Sequence, residues 1–249
     1  MTGFSFNGTH CRQFGITAKT ISRPVLPRAK EFKVSAARQD GEADFSADRW
    51  GKRYNPVVME IALQFAAESL AEMQEKLSRA AVWLLPDGKL RFDDLPGVYW
   101  LARAHLGFSY SPLAEGRAAA AAAKFYCEPF SFGEEEVSVP LFIGTNNFSN
   151  PGTYYSAPVI EIQGGGAGVC VSMSGVSLGF GGAFSQLEID CGAFTVKNGG
   201  ADALGGSSGG FPKVAPGANA LTLSVASGGV SSAVLRYTPR YIYGKVNGG

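Results

Sequence analysis

Apolar and polar positions alternate with a period of two along much of this chain. Over residues 57–65, Val57, Met59, Ile61, Leu63 and Phe65 alternate with Val58, Glu60, Ala62 and Gln64, the pattern of a strand with one face buried. Residues 90–92 and 98–105 carry the same period across the turn Asp93-Asp94-Leu95-Pro96-Gly97. At the start, Phe4-Ser5-Phe6, Asn7-Gly8 and Phe14-Gly15-Ile16 read as strand, tight turn and second strand, because Asn-Gly accepts the positive φ angles of a two-residue hairpin. One stretch breaks the period. Ser69 with Glu72 forms a capping box, and Leu70, Met73, Leu77, Ala81 and Leu84 recur at three- and four-residue steps, which predicts an amphipathic helix lying on a sheet. Glu72 with Lys76 and Glu75 with Arg79 are favourable i,i+4 pairs on its other side, and Pro86-Asp87-Gly88 ends it. The alanine run 118–123 favours helix by propensity. Its flanks, Gly116 before it and Phe125 and Cys127 alternating with Tyr126 and Glu128 after it, predict a strand.

The text changes character at Phe125-Tyr126-Cys127-Glu128-Pro129-Phe130. Residues 1–130 hold 31 charged side chains and 9 glycines, and residues 131–249 hold 12 and 24. A chain of 249 residues suffices for two cores, so the shift predicts two domains, 1–130 and 131–249. In the second, 132–136 reads as an exposed crossing segment, and short apolar strands follow at 137–143, 158–163, 169–174, 184–190, 193–197, 220–227 and 232–237. Their spacing is that of a β-sandwich, with the glycine-rich pieces 164–168 and 199–210 read as loops. The predicted fold class is mainly β with one α-helix.

Charge and chemistry exclude more than they suggest. The net charge is +1, divided as +3 and −2 between the two parts, so neither has the basic footprint of sequence-independent phosphate binding. Cys11, Cys127, Cys170 and Cys191 form no CxxC pair, and His10 and His105 are the only histidines. That is too few for a zinc site of usual spacing, and the cysteines read as reduced, mostly buried thiols. Nothing resembles a signal peptide, and no apolar run approaches the ~20 residues of a membrane span. Gly175-Val176-Ser177-Leu178-Gly179 and Gly205-Gly206-Ser207-Ser208-Gly209 fit the hydrolase pattern G-x-S-x-G, but no histidine follows His105 to serve either serine. Residues 164–168 lack the last glycine of a dinucleotide fingerprint, Val169 standing there. Asp93 and Asp94 read as turn formers, and His105 as a structural strand end. Gln39-Asp40-Gly41 reads as a turn, and Arg49-Trp50-Gly51-Lys52-Arg53-Tyr54 as a solvated hairpin edge with Trp50 packed beneath it. No catalytic, metal or cofactor-binding residue is expected, and no enzyme.

In order along the chain, Phe6-Asn7-Gly8 with Phe14-Gly15-Ile16, the helix after strand 57–65, and residues 125–130 resemble the N-terminal domain of the distal tail (Dit) proteins of siphophages, whose tails are long and non-contractile. Asn150-Pro151-Gly152-Thr153, Pro158-Val159-Ile160-Glu161-Ile162, Leu187-Glu188-Ile189-Asp190, Gly210-Phe211-Pro212, Pro216-Gly217-Ala218-Asn219 and Tyr237-Thr238-Pro239-Arg240-Tyr241 follow in the order of that family's C-terminal domain. The alanine run, Cys127-Glu128-Pro129-Phe130 in place of an Asp-Pro-Tyr-like sequence, and unusually glycine-rich loops depart from the pattern. The resemblance implies a structural virion protein made in the host bacterial cytoplasm and placed at the distal tail. It would form a ring, hexameric in the family, through the N-terminal domain, leaving a channel for DNA. The C-terminal domain would be a galectin-like or carbohydrate-module-like β-sandwich. Implied partners are further copies of the chain, the tail tube protein, the tail hub or tail-associated protein, and receptor-binding proteins, with no specific nucleic-acid recognition and no membrane insertion. The near-neutral charge agrees with a channel that lets DNA pass without gripping it. The alternative is a carbohydrate-binding module for host surfaces. Trp50, Trp83 and Trp100 all precede residue 130, so its stacking platform would fall to Tyr154 and Tyr155.

Overall fold

The computed structural model describes residues 3–35, 37, 40–48, 50–105, 110–113 and 117–245. Gln39, Arg49 and Gly116, which enter the turn, cluster and flank above, lie outside them. The chain divides into two units: the first runs to Ser131 and takes in Ile242–Gly244, and the second holds Phe132–Tyr241 and continues from Lys245. The protein is mainly β, with one α-helix among the described residues.

In the first unit, β1 (Phe4–Phe6) and β2 (Thr9–His10) are joined by Asn7 and Gly8, whose φ angles of 50° and 80° make the expected primed turn. The partner strand is shorter than the sequence suggests. Residues Cys11–Phe14 turn into a 3-10 helix that ends on Gly15 at φ 66°, so β3 (Ile16–Ser22) starts a new direction. Two small hairpins follow, β4 (Lys33–Val34) with β5 (Ala43–Asp44), and β6 (Ala47–Asp48) with β7 (Gly51–Lys52). Then come β8 (Val57–Ala66), α1 (Leu70–Leu84), β9 (Gly88–Phe92), β10 (Val98–Ala104), β11 (Tyr110–Leu113) and β12 (Ala118–Cys127). The sheet order is β2-β1-β9-β10-β12-β8-β3, with β11 also on β12.

The alanine run is a central strand. It pairs with β8 from Ala118↔Ala66 to Cys127↔Val57, and Ala119, Ala121, Ala123, Phe125 and Cys127 are buried. Hydrogen-bonded neighbours on both edges override the helical propensity of alanine. The cap of α1 forms as read, Ser69 Oγ accepting from Glu72 N at 3.2 Å, although the Glu72 carboxylate reaches back to Glu68 N, 2.7 Å away, one residue before the usual box partner. Glu72 pairs with Lys76 at 2.7 Å and Glu75 with Arg79 at 4.0 Å. The buried stripe is rotated from the predicted one: Met73, Ala80, Trp83 and Leu84 face inward, while Leu70 and Ala81 are exposed. Trp83 sets that rotation. Its ring stacks on Phe14 with centroids 4.6 Å apart and on Phe4 at 5.4 Å, and its indole N–H donates to Phe6 O at 3.0 Å, which satisfies its one polar atom.

The second unit contains β13 (Ser131–Gly133) at its boundary, β14 (Val137–Pro140), β15 (Gly144–Asn150), β16 (Val159–Met173), β17 (Val176–Asp190), β18 (Thr195–Asn198), β19 (Ala201–Asp202), β20 (Ser207–Gly209), β21 (Gly217–Tyr237) and β22 (Arg240–Tyr241). The order is β14-β21-β16-β17-β18-β19, with β15 on β21 and β20 on β17. Here the sequence reading of the glycines needs correction. Residues 164–168 are no loop: they are the middle of β16, a single strand where two were expected, and β21 likewise runs through the predicted break as 21 residues. Glycine serves close approach there. A Cβ on Gly166 would strike Ser227 O, and one on Gly228 would strike Gly165 O. Register shifts at Gln163/Gly166 and Ala167/Val169 mark bulges, and the buried parity of β16 switches across them from Ile160 and Ile162 to Val169, Val171 and Met173. The two ends of β16, β17 and β21 therefore feed one core, and the sandwich is a sheet folded over on itself. Segment 199–210 also departs from a plain loop: Gly199 and Gly200 form the turn into β19, and a 3-10 turn leads into β20.

Candidate functional site

The nearest approach to a catalytic constellation is His10, Cys11 and Asp93, which sequence reasoning did not bring together, since nothing local links residue 10 to residue 93. The primed turn and the pairing of β1 with β9 place His10 Nε2 3.2 Å from both Asp93 carboxylate oxygens. Cys11 Sγ lies 3.9 Å from His10 Nδ1. The arrangement looks like nucleophile, base and orienting carboxylate, but two features disarm it. His10 Nδ1 accepts the Arg12 backbone N–H at 3.1 Å, so its lone pair is engaged. The Cys11 thiol is buried, and burial, then the Asp93 charge, push its pKa up against the lowering pull of backbone hydrogen bonds, the reverse of activation.

Asp94, adjacent to Asp93, belongs to a different contact. Arg23 Nη1 and Nη2 donate to its two oxygens at 2.8 Å each, Arg23 Nε donates to Tyr243 Oη at 2.6 Å, and the guanidinium lies 4.5 Å from the Phe92 ring centroid. The hydrogen bond from Arg23 holds the Asp94 carboxyl below its ordinary pKa. The two aspartates thus form the turn read from sequence and, beyond it, serve different partners, Asp93 meeting His10 and Asp94 meeting Arg23. His105 packs its ring edge-on against Tyr126 at 5.0 Å. Cys127 and Cys191 have thiols pushed up to about 12 by burial. A cleft of about 540 Å³ is lined by Leu101, Arg103, Tyr126, Cys127 and Glu128 among others, and burial holds its Cys127 thiol protonated.

The two G-x-S-x-G matches fall on strands and turns. Ser177 is in β17 just after the turn Ser174-Gly175 and donates to Ser172 Oγ at 2.9 Å, and Ser207 begins β20; neither is a strand-to-helix elbow. Of the tryptophans, Trp83 and Trp100 are buried and Trp50 is half-buried. Tyr154 and Tyr155 stand at 83° to each other, an edge contact and no flat platform for a sugar ring. Among the described residues no three His, Cys, Asp or Glu stand close enough to hold a metal, and no helix is long and apolar enough to cross a membrane.

What the second unit does present is a pair of loops built alike. Asn146 Oδ1 accepts from Phe142 N at 2.8 Å, and its Nδ2 donates to Phe142 O and Gly144 O at 2.8 and 3.1 Å. Asn219 repeats this on Ala215 N, Ala215 O and Gly217 O at 2.9, 2.8 and 2.8 Å. Each buried asparagine stands two residues after a glycine of positive φ and fixes the loop before its strand. The first loop holds Phe142 and Ile143 out in solvent.

These features define a mainly β protein of two units, one sheet covered by a helix and the other folded into a sandwich. No protein-family model matches the chain, and no curated sequence does. Solved structures do. The Dit protein (gp 19.1) of phage SPP1, described as a paradigm of the hub adsorption apparatus in phages infecting Gram-positive bacteria, matches with a TM-score of 0.71 and 14% identity, over 96% of this chain and 99% of that one. A chain from the baseplate of phage p2, in its activated conformation with Sr, matches at a TM-score of 0.48 and 9% identity over 98% and 99%, too distant to argue from. The chain has a Dit-like fold along nearly its whole length, and the resemblance read from the sequence is borne out at that level.

Proposed function

We propose that this chain is a structural component of a phage tail, forming a ring at the distal end of the tail tube and joining tube to tail tip. One observation carries the reading: the fold of SPP1 Dit is matched from end to end, both units together and in order, whereas a sandwich shared by chance would match one unit. The buried, unactivated thiols of Cys11, Cys127 and Cys191 and the occupied His10 support a scaffold over an enzyme. In this reading the first unit makes the ring, six copies closing around a channel for DNA, and the second meets neighbouring tail proteins. The tube protein and the hub or tail-associated protein are the expected partners. A ring from one repeated head-to-tail contact closes only if the rotation per copy is fixed, and the Trp83-anchored helix on a long sheet supplies such rigidity.

The test is the native mass of the purified chain over a concentration series, alone and with the tail tube protein of the same phage, with negative-stain images of the largest species. Six-fold rings with a central hole are expected. A monomer under every condition, tube protein included, overturns the reading.

A further inference from the structure

The segment between β3 and β8 is an arm with almost no core of its own: in residues 23–53, Pro27 alone among the described residues is buried. Its two hairpins have two residues per strand, too short to stand alone in water. Yet the outer hairpin holds two aromatic rings side by side. Phe45 N donates to Phe32 O at 2.8 Å, Phe32 N donates to Ser46 Oγ at 2.8 Å, and the ring centroids are 6.1 Å apart. Phe32 and Phe45 are 62% and 61% exposed, with Val34 beside them. This is a preorganised apolar knob.

The same unit carries an apolar hole. Phe14 of the 3-10 helix and Ser78, Arg79, Val82 and Trp83 of α1 line an open cleft of about 500 Å³ between the two elements. Its floor is fixed, because Phe14 stacks on Trp83 and Trp83 is tied to Phe6 O. Val82 in its wall is 71% exposed, and Leu85, three residues on and just past the helix, is 74% exposed, which is unusual for a solvent face. A helix facing water is polar there, and apolar patches rimmed by polar residues mark contact sites.

We infer that Phe32 and Phe45 of one copy seat in the cleft beside α1 of the next copy. Within one chain neither feature covers the other, as the exposures show. The charges are complementary: residues 24–53 hold seven cations against five carboxylates, and residues 68–87 hold four carboxylates against two cations, a bias that favours arm meeting helix over arm meeting arm. Knob and hole are different surfaces, so the contact is heterologous and propagates head to tail, into a closed ring or an open filament. This deepens the proposed function by naming the contact between copies, and it rests on that reading only in requiring that copies of this chain meet.

The test uses the full chain with Cys170, the one thiol that is only half-buried, replaced by serine. Phe45→Cys chains and Val82→Cys chains are oxidised separately and mixed. The expected result is a covalent dimer in the mixture and none in either alone. In parallel, Val82→Arg and the pair Phe32→Ser with Phe45→Ser should each raise the concentration needed for assembly at least tenfold. All three side chains are exposed, so the melting curves should not move. Assembly unchanged by both variants, with no mixed dimer, overturns the contact, and rings seen in that case leave the ring reading intact. Mixed dimers in open filaments establish the contact and remove ring closure. A monomer at all concentrations with no mixed dimer overturns the contact.

Discussion

The two units answer one requirement, covering the apolar face of a sheet, in opposite ways. The first covers its sheet with α1, and the join depends on large rings: Trp83 against Phe4 and Phe14, with Phe6 and Phe125 behind. The second has no helix to lay down among its described residues, so β16, β17 and β21 run from one layer to the other, and glycines let their backbones pass where they bend. One unit is sensitive to losing bulk and the other to gaining it. The glycine split follows from the same difference, since a folded-over sheet needs small residues at its creases.

The largest expected effect is Trp83→Ala, which should cost the first unit roughly 3–5 kcal/mol while β16 and β17 keep their hydrogen-exchange protection. Equal loss in both units would erase the distinction. All three tryptophans lie in the first unit, so fluorescence of Trp50 and Trp100 reads that unit alone. Gly166→Val is the reverse case. Its side chain would meet Ser227 O, and a cost of about 3 kcal/mol, the upper part of the overpacking range, should appear as lost protection in 159–190 and 217–237 with tryptophan fluorescence unchanged. Asp94→Asn should cost the first unit about 1 kcal/mol at neutral pH, a charge-assisted hydrogen bond discounted for partial exposure. The sign of the pH effect follows from a depressed carboxyl: its contribution is complete above the ordinary value of ~3.9, and fades as pH falls through the lower folded value. The gap between wild type and Asp94→Asn should therefore close below about pH 3.9, and a gap that persists at lower pH would assign the effect to packing. The smallest effect has the opposite direction. Phe194 sits at φ 59° and 54% exposed, a left-handed conformation that costs a bulky residue about 1–2 kcal/mol, so Phe194→Gly should stabilise the second unit by up to about 1 kcal/mol after glycine's own entropy cost, less what the lost edge contact with Phe211 contributes; its melting curve reads the sign.

Elements that declare themselves through local pattern were legible in the sequence. The capped helix, the alternation in β8 and the alanine strand between its aromatic flanks all follow from residues within a turn or two of each other. What was not legible depends on residues far apart. Glycines 164–168 read as a loop because local chemistry records only their freedom, and the reason for them, the backbone of residues 227–229, lies some sixty positions downstream. The strand β15, Gly-Thr-Asn-Asn-Phe-Ser-Asn, has no apolar alternation to announce it and exists because β21 pairs with it over its full length. The rotation of α1 was missed because Trp83 is held by Phe6 and Phe14, seventy residues upstream. The candidate contact surfaces follow the same rule: nothing in the residues around Phe32 or Phe45 tells that the fold leaves both rings uncovered.

The path of the backbone itself has a further consequence. It leaves the first unit after Ser131 and comes back at Ile242, and Ser131 Oγ donates to Tyr243 O at 2.6 Å, so exit and return are neighbouring points. Topologically the second unit is a cassette inserted into the first. A single protease cut at either crossing therefore leaves the two units covalently joined through the other.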